Sequence, residues 1–467
     1  MPAPIGFDRM VRQLDARQWL PAPAVAELQA AKLDRILAHA VRHCPYYTER
    51  LGEAWDRVAR IRRVEDLAAF PTLEREDVRQ RLDAMVDASR DPSTLERRST
   101  GGTSGVPMPF FVDAAYNTHI RGVVARGYET IGRGPFTPTV LVAGSPIDSK
   151  AWTTAKARML NGLRRTRVVP AFELSADGLG RLADLVDRVR PRFVIAYANA
   201  LSLLASYCRA TNRDLRIAAV VPVAELVTDA HRETFATAFG AETFELYGAR
   251  EAIGLAVECP AHAGLHVQAD TFVVEILRGD TPVAGGEVGE IVITDLENTA
   301  MPMIRYRIGD LGVLTGVPCP CGRGFPLLRV THGRSLDVIV TPDGRLLPGE
   351  FFPHLFKEVD RDVERFQVRQ EVADRVEVDM VVRSGVDHRL ESYLGDRIGE
   401  RLGPGVELVF NRVASLRPGE SGKYRPTRSS VGLPWSRPAR SGADPEAPTG
   451  TLRPGADDGS LHGVHER

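Results

Sequence analysis

Residues 192–223 read RFVIAYANALSLLASYCRATNRDLRIAAVVPV, and this stretch decides the fold class. Two of its segments, RFVIAY (192–197) and IAAVVPV (217–223), are short apolar runs that favour buried strands. Between them, ALSLLASYCRAT (200–211) has the pattern of a helix. Alternation of strands and helices predicts a parallel sheet covered on both faces, and therefore an α/β fold.

The same alternation continues on both sides of this stretch. Further strands are predicted at TVLVAGS (139–145), RVVPAF (167–172) and TFELYG (243–248), and helices at 24–44, 178–190 and 229–239. From about residue 271 the sequence pattern changes, because the strand-like segments TFVVEIL and GEIVITDL flank the Gly-rich turn GGEVGE (285–290). That pattern is typical of antiparallel hairpins.

The remaining chain predicts a second domain and a tail. Between residues 335 and 432 the strand-like segments FQVRQE, RVEVDMVV and VELVFN surround the helical SYLGDRIGERL, which indicates a small α+β domain. Residues 433–467 are rich in proline, glycine and charge, and we expect them to be disordered. We therefore expect a large N-terminal domain over 1–334, with a helix-covered parallel sheet plus a β-rich part, and a small C-terminal domain over 335–432.

Composition narrows the class of protein. The chain has 467 residues and 43% hydrophobic residues, which suits a globular protein of enzyme size. Lys plus Arg (60) nearly cancel Asp plus Glu (61), so net charge gives no reason to expect nucleic acid or an anionic membrane as a partner. The N-terminus lacks the apolar core of a signal peptide and the run 193–208 is too short and polar to span a bilayer, so we expect a cytoplasmic protein.

The loop STGGTSGVP (99–107) is a candidate phosphate site. Gly101, Gly102 and Gly105 let several backbone N–H groups converge, and hydroxyl donors are added by Thr100, Thr103 and Ser104. The loop lacks the residue order of a Walker A motif, and taken alone a cluster of this kind is also consistent with a plain flexible loop. Other segments must decide between the two interpretations.

Those segments occur in one order that resembles the adenylate-forming superfamily, and within it the phenylacetate-CoA ligase-like family. TGGTSGVP (100–107) is similar to the family's TSGTTGKP loop, VAELV (223–227) to its adenine-side segment and ELYGARE (245–251) to its YGxTE segment. The series continues with ECPAHAGLH (258–266), GEVGEIVIT (286–294), AMPMIRYRIGD (300–310), CPCGR (319–323), GRSLDVIV (333–340) and SGKYRP (421–426). The ordered combination is specific, although no single motif is.

The resemblance implies an ATP-dependent ligase in which a carboxylic acid attacks the α-phosphorus and pyrophosphate leaves. Glu251 would hold Mg²⁺ on the phosphates, Asp310 would accept hydrogen bonds from both ribose hydroxyls, and Tyr247 would stack on adenine. Arg334 would contact ribose or phosphate and tie the two domains together. Further nucleotide contacts are implied for Ala224, Glu225, Gly248, Ala249 and Arg250.

Lys423 is the lysine of the C-terminal SGK segment. By the resemblance, its ammonium would bond both the substrate carboxylate and the α-phosphate and stabilise the transition state. Because it lies on the small domain, that domain is expected to be mobile and to close in one way for adenylation and in another for transfer.

The five cysteines are an odd number, which argues against a disulfide framework and leaves core packing, a metal site or a reactive thiol. Three thiolates and one imidazole, from Cys259, Cys319, Cys321 and either His262 or His266, would make a closed tetrahedral zinc site. Some relatives carry zinc at the positions of Cys259, His266, Cys319 and Cys321, so the resemblance implies His266 and a structural zinc. Buried free thiols are the alternative, and we expect Cys44 and Cys208 in the core.

Several positions depart from the family's pattern and leave the acceptor open. Val106 replaces the loop lysine, and Arg250 stands where YGxTE has Thr or Ser, either supplying the missing charge or pointing to solvent. Ser335 and Leu336 stand after GR, where the acyl-CoA ligases have an acidic or lysine hinge, and residues 338–352 resemble the capsular-polysaccharide-biosynthesis branch. CoA is the first expectation for the acceptor, an amine or hydroxyl of a small metabolite is the second, and a homodimer is possible as in many relatives. Two alternatives belong to other functional classes: a nucleotide-binding pseudoenzyme, and a scaffold protein stabilised by zinc.

Overall fold

The computed structural model describes residues 6–51, 63–100, 108–142, 154–170, 174–332, 338–349, 351–416 and 426–431. The predicted tail at 433–467 lies outside these residues, as does most of the glycine-rich loop. No helix in the described ranges combines the length and the apolar character needed to cross a bilayer.

Residues 192–223 form the centre of the predicted parallel sheet. Within the described residues its strands run, edge to edge, in the order Thr166–Val169, Thr139–Val142, Phe193–Tyr197, Ala219–Val223, Glu242–Thr243, all parallel. Its helices are Ala155–Leu163, Ala176–Val189, Ala198–Ala210 and Asp229–Phe239. The α/β class predicted from the alternation is confirmed.

Both faces of the parallel sheet are buried, as expected. Side chains alternate between the two faces of a strand, so Val194 and Ala196 join a core that includes Leu201 of helix Ala198–Ala210. On the other face Phe193 and Ile195 pack with a core that includes Val257 of the second sheet. The sheet is therefore held between its own helices and the β-rich part of the chain.

The segment TFELYG, predicted as one strand of the parallel sheet, is divided between two sheets. Glu242–Thr243 ends the parallel sheet, while Leu246–Ala249 pairs antiparallel with Ala252–Glu258. The single-strand prediction is wrong because an apolar run of this length gives no signal of where a chain changes its pairing partner. The β-rich part consequently begins near residue 246, earlier than the expected 271.

This second sheet, the antiparallel sheet, contains the predicted hairpins. Its described strands are ordered Thr281–Pro282, Phe272–Arg278, Gly289–Asp295, Tyr306–Leu314, Leu327–His332, Leu265–Val267, Ala252–Glu258, Leu246–Ala249. The hairpin of Phe272–Arg278 with Gly289–Asp295 runs in register from Phe272↔Asp295 to Leu277↔Glu290. Expectation and structure agree there because the turn residues and the apolar runs mark both strands.

The chain before the parallel sheet forms mainly helices, together with two short strands. The helices are Phe7–Arg17, Ala22–His43, Pro45–Leu51, Arg75–Gln80, Leu82–Met85 and Ala114–Thr130, with 3₁₀ turns at Val64–Ala69 and Pro92–Thr94. Strands Glu96–Ser99 and Pro109–Val112 pair antiparallel on either side of the glycine-rich loop. Cys44 and Cys208 are buried, which confirms their predicted place in the core.

The C-terminal part is an α+β unit, as the pattern predicts. Its four-stranded sheet has the order Glu407–Arg412, Arg375–Val382, Val363–Val372, Thr427–Ser429, with helices Phe351–Phe356 and Arg389–Leu402, a 3₁₀ turn at Lys357–Val359, and strands Val338–Val340 and Arg345–Pro348. Arg345–Pro348 also pairs with Leu174–Ser175 from the predicted large domain. The Arg97 guanidinium lies 3.0 Å from the Asp360 carboxylate, so the two parts are in contact. The domain boundary at 334/335 stays a prediction.

A fully buried ion pair joins the helix Ala114–Thr130 to the antiparallel sheet. Arg126 donates from both terminal nitrogens to the Asp270 carboxylate, at 2.9 and 2.7 Å, and also to the Leu14 carbonyl at 2.6 Å. Neither side chain is exposed. A buried pair of this kind does little for stability relative to apolar residues, but removal of one partner leaves the other charge without compensation.

We therefore expect Asp270→Asn to lower the free energy of unfolding by about 3–5 kcal/mol, because the Arg126 charge then stays buried without its counter-ion. Urea unfolding followed by circular dichroism measures the change. Asp184→Asn is the control, since Asp184 pairs with Arg213 at the surface with 65% of its side chain exposed. Equal effects of the two substitutions would contradict this account of the buried pair.

Candidate active site

A cavity of about 410 Å³ lies between the parallel and antiparallel sheets. Its lining comes from the end of strand Ala219–Val223, from strands Leu246–Ala249, Ala252–Glu258 and Tyr306–Leu314, and from helix Ala114–Thr130. The site therefore forms at the carboxyl end of a central parallel strand, where open α/β sheets bind their ligands.

The structure brings to this cavity every described residue that the sequence assigned to nucleotide or magnesium binding. They are Thr100, Ala224, Glu225, Tyr247, Gly248, Ala249, Arg250, Glu251 and Asp310. The other predicted site residues, Gly101, Gly102, Thr103, Ser104, Gly105, Arg334 and Lys423, lie outside the described residues, as do Val106, Ser335 and Leu336. Residues up to 210 positions apart in sequence thus share one wall, and their individual roles stay predictions.

Glu251 forms one corner of the cavity together with two residues that the sequence did not indicate. Its carboxylate is 5% exposed, accepts a hydrogen bond from the Tyr306 hydroxyl at 3.1 Å and lies 3.7 Å from the Arg75 guanidinium. Burial and the neighbouring Glu251 charge raise the pKa of Tyr306, so its hydroxyl keeps the proton that it donates. A buried carboxylate that borders the cavity is suited to hold a divalent cation.

Tyr247 and Asp310 come together from different strands. The Tyr247 hydroxyl donates to Asp310 Oδ2 at 2.9 Å, and both residues border the cavity. The bond fixes the tyrosine ring relative to the carboxylate. The next residue, Gly248, leaves no room for a side chain, since a Cβ there would lie 2.7 Å from the Ala252 carbonyl oxygen.

The loop after strand Ala219–Val223 is held in an unusual conformation. Ala224 has φ +66°, a left-handed value that costs a residue with a side chain some energy. Glu225 follows and accepts hydrogen bonds from the backbone N–H and the side-chain amide of Asn199, at 2.7 and 2.5 Å. The Glu225 carboxylate thereby caps helix Ala198–Ala210 and fixes the strained turn against the cavity.

Thr100 is the one residue of the loop 100–105 that the structure describes. It is buried, its N–H donates to the Met108 carbonyl at 2.9 Å, and its hydroxyl accepts from the Met108 N–H at 3.0 Å. These bonds fix the base of the glycine-rich loop at the edge of the cavity.

Arg250 borders the cavity and is half-buried, close to a histidine that no motif indicated. That residue, His354, comes from helix Phe351–Phe356 of the C-terminal part and also lines the cavity. Burial, then the charges of Lys357 and Arg250, hold the pKa of His354 well below its usual range, so the ring is neutral. Its Nε2 lies 3.2 Å from the Tyr197 hydroxyl. Whether Arg250 replaces the missing loop cation stays a prediction.

The sequence also missed several apolar-wall residues and two polar ones, Tyr128 and Gln268. Arg75, Tyr128, Gln268 and His354 lie in stretches that carry no motif, and their positions follow from the way that separate elements pack. Tyr197 does not line the cavity, but its hydroxyl contacts the cavity residue His354.

Away from this cavity, four potential metal ligands meet at one end of the antiparallel sheet. Cys259, His266, Cys319 and Cys321 place their ligand atoms within 4.8 Å of one another. The Cys259 and Cys319 sulfurs are 3.6 Å apart, and the Cys321 sulfur is 3.3 Å from His266 Nε2. His266 Nδ1 lies 3.2 Å from the Phe325 carbonyl, so it can donate there and leave Nε2 as the ligand atom.

His262 lies elsewhere. Its two ring nitrogens are 2.8 Å from a Glu258 oxygen and 3.0 Å from a Glu242 oxygen. Those carboxylates raise the pKa of His262 against the opposing effect of its burial. Among the described residues the cluster therefore contains His266 and not His262, in keeping with the choice that the family pattern implied.

Comparison with known proteins identifies one family model and several relatives that are similar to this chain. Residues 339–430 match the family model for the CapK C-terminal domain. The chain is 27% identical to the phenylacetate-coenzyme A ligase of Thermus thermophilus over 87% of this chain and 96% of that protein. It is 22% identical to Protein CapK of Staphylococcus aureus over 85% of this chain and 88% of that protein.

A solved structure shares the fold. A crystal structure of 2-hydroxyisobutyryl-CoA ligase in complex with 2-HIB-AMP and CoA superposes with a TM-score of 0.60, at 19% identity, over 88% of this chain and 91% of that chain. At that identity the likeness concerns the fold. The sequence relatives and the C-terminal family model support the resemblance of this chain to the phenylacetate-CoA ligase-like and CapK branch of the adenylate-forming enzymes.

Proposed function

We propose that this protein activates a carboxylic acid with ATP, forming an acyl-adenylate and pyrophosphate, and then transfers the acyl group to CoA. The proposal rests on the observation that one cavity is lined by Glu251, by the hydrogen-bonded pair Tyr247 and Asp310, and by Thr100. A carboxylate for a cation, a carboxylate for ribose hydroxyls and the base of a phosphate-type loop are the groups that this reaction needs.

The nucleotide end of the cavity is formed by Tyr247 and Asp310. Their hydrogen bond of 2.9 Å holds an aromatic face and a carboxylate in a fixed relation, which suits adenine stacking and ribose binding at the same time. Ala224 and Glu225 would form the other side of the adenine site, since they follow the central strand and border the same space.

The phosphate end is assigned to Glu251 and to the loop that begins at Thr100. Glu251 would hold Mg²⁺, whose chemistry is to neutralise charge on the phosphate oxygens; its buried carboxylate beside Arg75 fits that ion. Glycine N–H groups at 101–105 would receive the phosphate oxygens. Lys423 would bring the acid's carboxylate to the α-phosphate and stabilise the negative charge of the transition state.

CoA as acceptor is supported by the names of the relatives, which include a phenylacetate-coenzyme A ligase and a 2-hydroxyisobutyryl-CoA ligase. The similarity of residues 339–430 to the CapK C-terminal domain is the specific observation that keeps an amine or hydroxyl acceptor as the second candidate. Transfer in either case would require the small domain, proposed at 335–432, to rotate over the cavity. A homodimer and a cytoplasmic location, both expected from the sequence, stay predictions.

The first test is acid-dependent ATP–pyrophosphate exchange over a panel of aryl, acyl and amino acids. We expect exchange with at least one acid, and a loss of about 10²-fold or more in Lys423→Ala, because the variant lacks a cation aimed at the transition-state charge. Lys156→Ala is the matched control, since Lys156 is an exposed lysine on helix Ala155–Leu163. Release of AMP on addition of CoA then identifies the acceptor.

Other outcomes point elsewhere. Equal exchange in Lys423→Ala and the wild type would remove Lys423 from the mechanism. Tight ATP binding without exchange for any acid would favour a nucleotide-binding pseudoenzyme, and the absence of ATP binding would favour a scaffold.

Asp310 provides a second test, of the ribose contact. Because an amide offers one acceptor oxygen where the carboxylate offers two, Asp310→Asn is expected to raise KM for ATP about tenfold to a hundredfold. The same substitution should abolish the preference of the wild-type protein for ATP over 2′-deoxy-ATP, measured as the ratio of kcat/KM. A ratio that is unchanged in Asp310→Asn would show that the carboxylate does not bind the ribose.

We also propose that Cys259, His266, Cys319 and Cys321 bind one structural zinc ion. A tetrahedral zinc with thiolate ligands has sulfur atoms about 3.8 Å apart, and Cys259 and Cys319 are 3.6 Å apart. Four protein ligands would leave no open position, so the ion would stabilise the fold and take no part in the reaction. The cluster would fix the loop that contains Arg323, whose guanidinium lies 4.3 Å above the Trp19 ring.

Purified protein is therefore expected to contain about one zinc per chain. His266→Ala and Cys321→Ser should lose the metal and unfold at a lower temperature, whereas His262→Ala should keep it. Elemental analysis and thermal unfolding measure both effects. Cys208→Ser is the control for damage to the core, since Cys208 is buried outside the cluster and its substitution should leave the zinc content unchanged. Metal content that does not distinguish His266→Ala from His262→Ala would refute the ligand set.

A further inference from the structure

One wall of the cavity is formed by helix Ala114–Thr130 packed against strand Ala252–Glu258, and we call it the helix wall. Its apolar members are Val123, Val124, Gly127, Gly254, Ala256 and Val257. The two elements are in direct contact, since a Cβ at Gly127 would lie 3.8 Å from Val257 Cγ2 and one at Gly254 3.3 Å from Val124 Cγ2. None of these residues belongs to the nucleotide or phosphate end, so the helix wall is available for the acid.

Tyr128 adds a hydroxyl group to the helix wall. The residue lines the cavity, and its ring lies 4.4 Å from the Arg133 guanidinium, which holds it in place. Within the described parts of the chain the Tyr128 hydroxyl has no hydrogen-bond partner. Burial raises the pKa of Tyr128, so the group is a neutral phenol able to donate and to accept. A phenol that borders a cavity without a protein partner is available to hydrogen-bond a ligand.

Gln268 adds a side-chain amide to the cavity lining, and hydrogen bonds to both its oxygen and its nitrogen fix its orientation. It is 1% exposed; its Oε1 accepts from Arg126 Nε at 2.8 Å and its Nε2 donates to the His266 carbonyl at 3.1 Å. An amide has two N–H donors and two acceptor positions, so one of each is left after these bonds. The amide therefore also presents a neutral hydrogen-bonding group, with oxygen and nitrogen assigned by its partners.

The helix wall offers nothing to neutralise an added charge. The nearby Arg126 is engaged by Asp270 at 2.7 Å, and neither residue lines the cavity. The charged residues that border the cavity, Arg75, Glu225, Glu245, Arg250, Glu251 and Asp310, all come from outside the helix wall. Glu225 is bonded to Asn199, and the Glu245 carboxylate lies 3.5 Å from the Arg232 guanidinium. A charged substituent at the helix wall would thus lose its hydration without gaining a counter-ion.

We propose that the acid is a compact monocarboxylic acid with a neutral hydrogen-bonding substituent, such as a hydroxyl, at the end away from its carboxylate, and that Tyr128 and Gln268 recognise this substituent. The inference rests on the proposed adenylation activity and adds the class of substrate to it. A site built to hydrogen-bond a substrate hydroxyl discriminates strongly against the analogue that lacks it, because its own polar groups are then left unpaired.

The test uses matched pairs of acids in the exchange assay: phenylacetate with 4-hydroxyphenylacetate, and butanoate with 4-hydroxybutanoate. For at least one pair we expect kcat/KM to be about tenfold or more higher for the hydroxylated acid. Tyr128→Phe should reduce that ratio about tenfold, because kcat/KM falls more for the hydroxylated acid than for the parent acid. Gln268→Met should reduce the same ratio.

Tyr207→Phe is the matched control, since Tyr207 lies on helix Ala198–Ala210 and does not line the cavity. The unfolding temperature of Tyr128→Phe should equal that of the wild type, so a fall in the ratio reports recognition of the acid. A ratio that is the same in the wild type and in Tyr128→Phe would overturn the proposal. So would a preference for 4-aminobutanoate or for a dicarboxylate such as succinate over both members of the pairs.

The exchange assay distinguishes a failure of the proposed adenylation from a failure of the proposed substrate recognition. If no acid supports exchange in any variant, adenylation itself is refuted, and the substrate class is refuted with it. If parent acids support exchange as well as their hydroxylated partners do, adenylation stands and the recognition by Tyr128 and Gln268 does not.

Discussion

The passage of the chain from the parallel sheet into the antiparallel sheet at Phe244 and Glu245 is the constraint on which the site depends. The Phe244 N–H donates to the Val220 carbonyl at 3.0 Å, so this residue is still held by the central sheet. One residue later, two hydrogen bonds join Glu245 to Glu258 of the antiparallel sheet. The Glu258 N–H donates to the Glu245 carbonyl at 2.9 Å, and the Glu245 N–H donates to the Glu258 carboxylate at 2.8 Å. Tyr247 and Glu251 follow directly, and so they are delivered to the cleft between the sheets.

A continuous set of bonds then joins the cavity to the cysteine–histidine cluster. Gln268, on the cavity wall, is tied to the His266 carbonyl and to Arg126, and Arg126 is tied to Asp270 and to the N-terminal helix. The His266 ring lies in the cluster. The shape of the helix wall therefore depends on a buried charge pair and, if the cluster holds zinc as we propose, on a metal ion that takes no part in the chemistry.

Much of this arrangement could be predicted from particular residues. The alternation at 192–223 predicted the parallel sheet, and the paired apolar runs at 272–278 and 289–295 predicted the main hairpin, because local periodicity and turn residues determine both. The ordered motifs also identified Tyr247, Glu251 and Asp310, which the structure brings to one cavity. Arg75, Tyr128, Gln268 and His354 could not be found in this way, since a single side chain in a helix or strand has no periodic or motif signal.

By itself the sequence determined the alternation of strands and helices, the family pattern and the candidate residues for binding phosphate, ribose and metal, because these depend on local spacing and on side-chain chemistry. Tertiary structure alone decided that TFELYG divides between two sheets and that Tyr128 and Gln268 line the same cavity. The physical reason is that each of these outcomes depends on contacts between segments that are distant in sequence, and such contacts are determined by packing and burial over the whole chain.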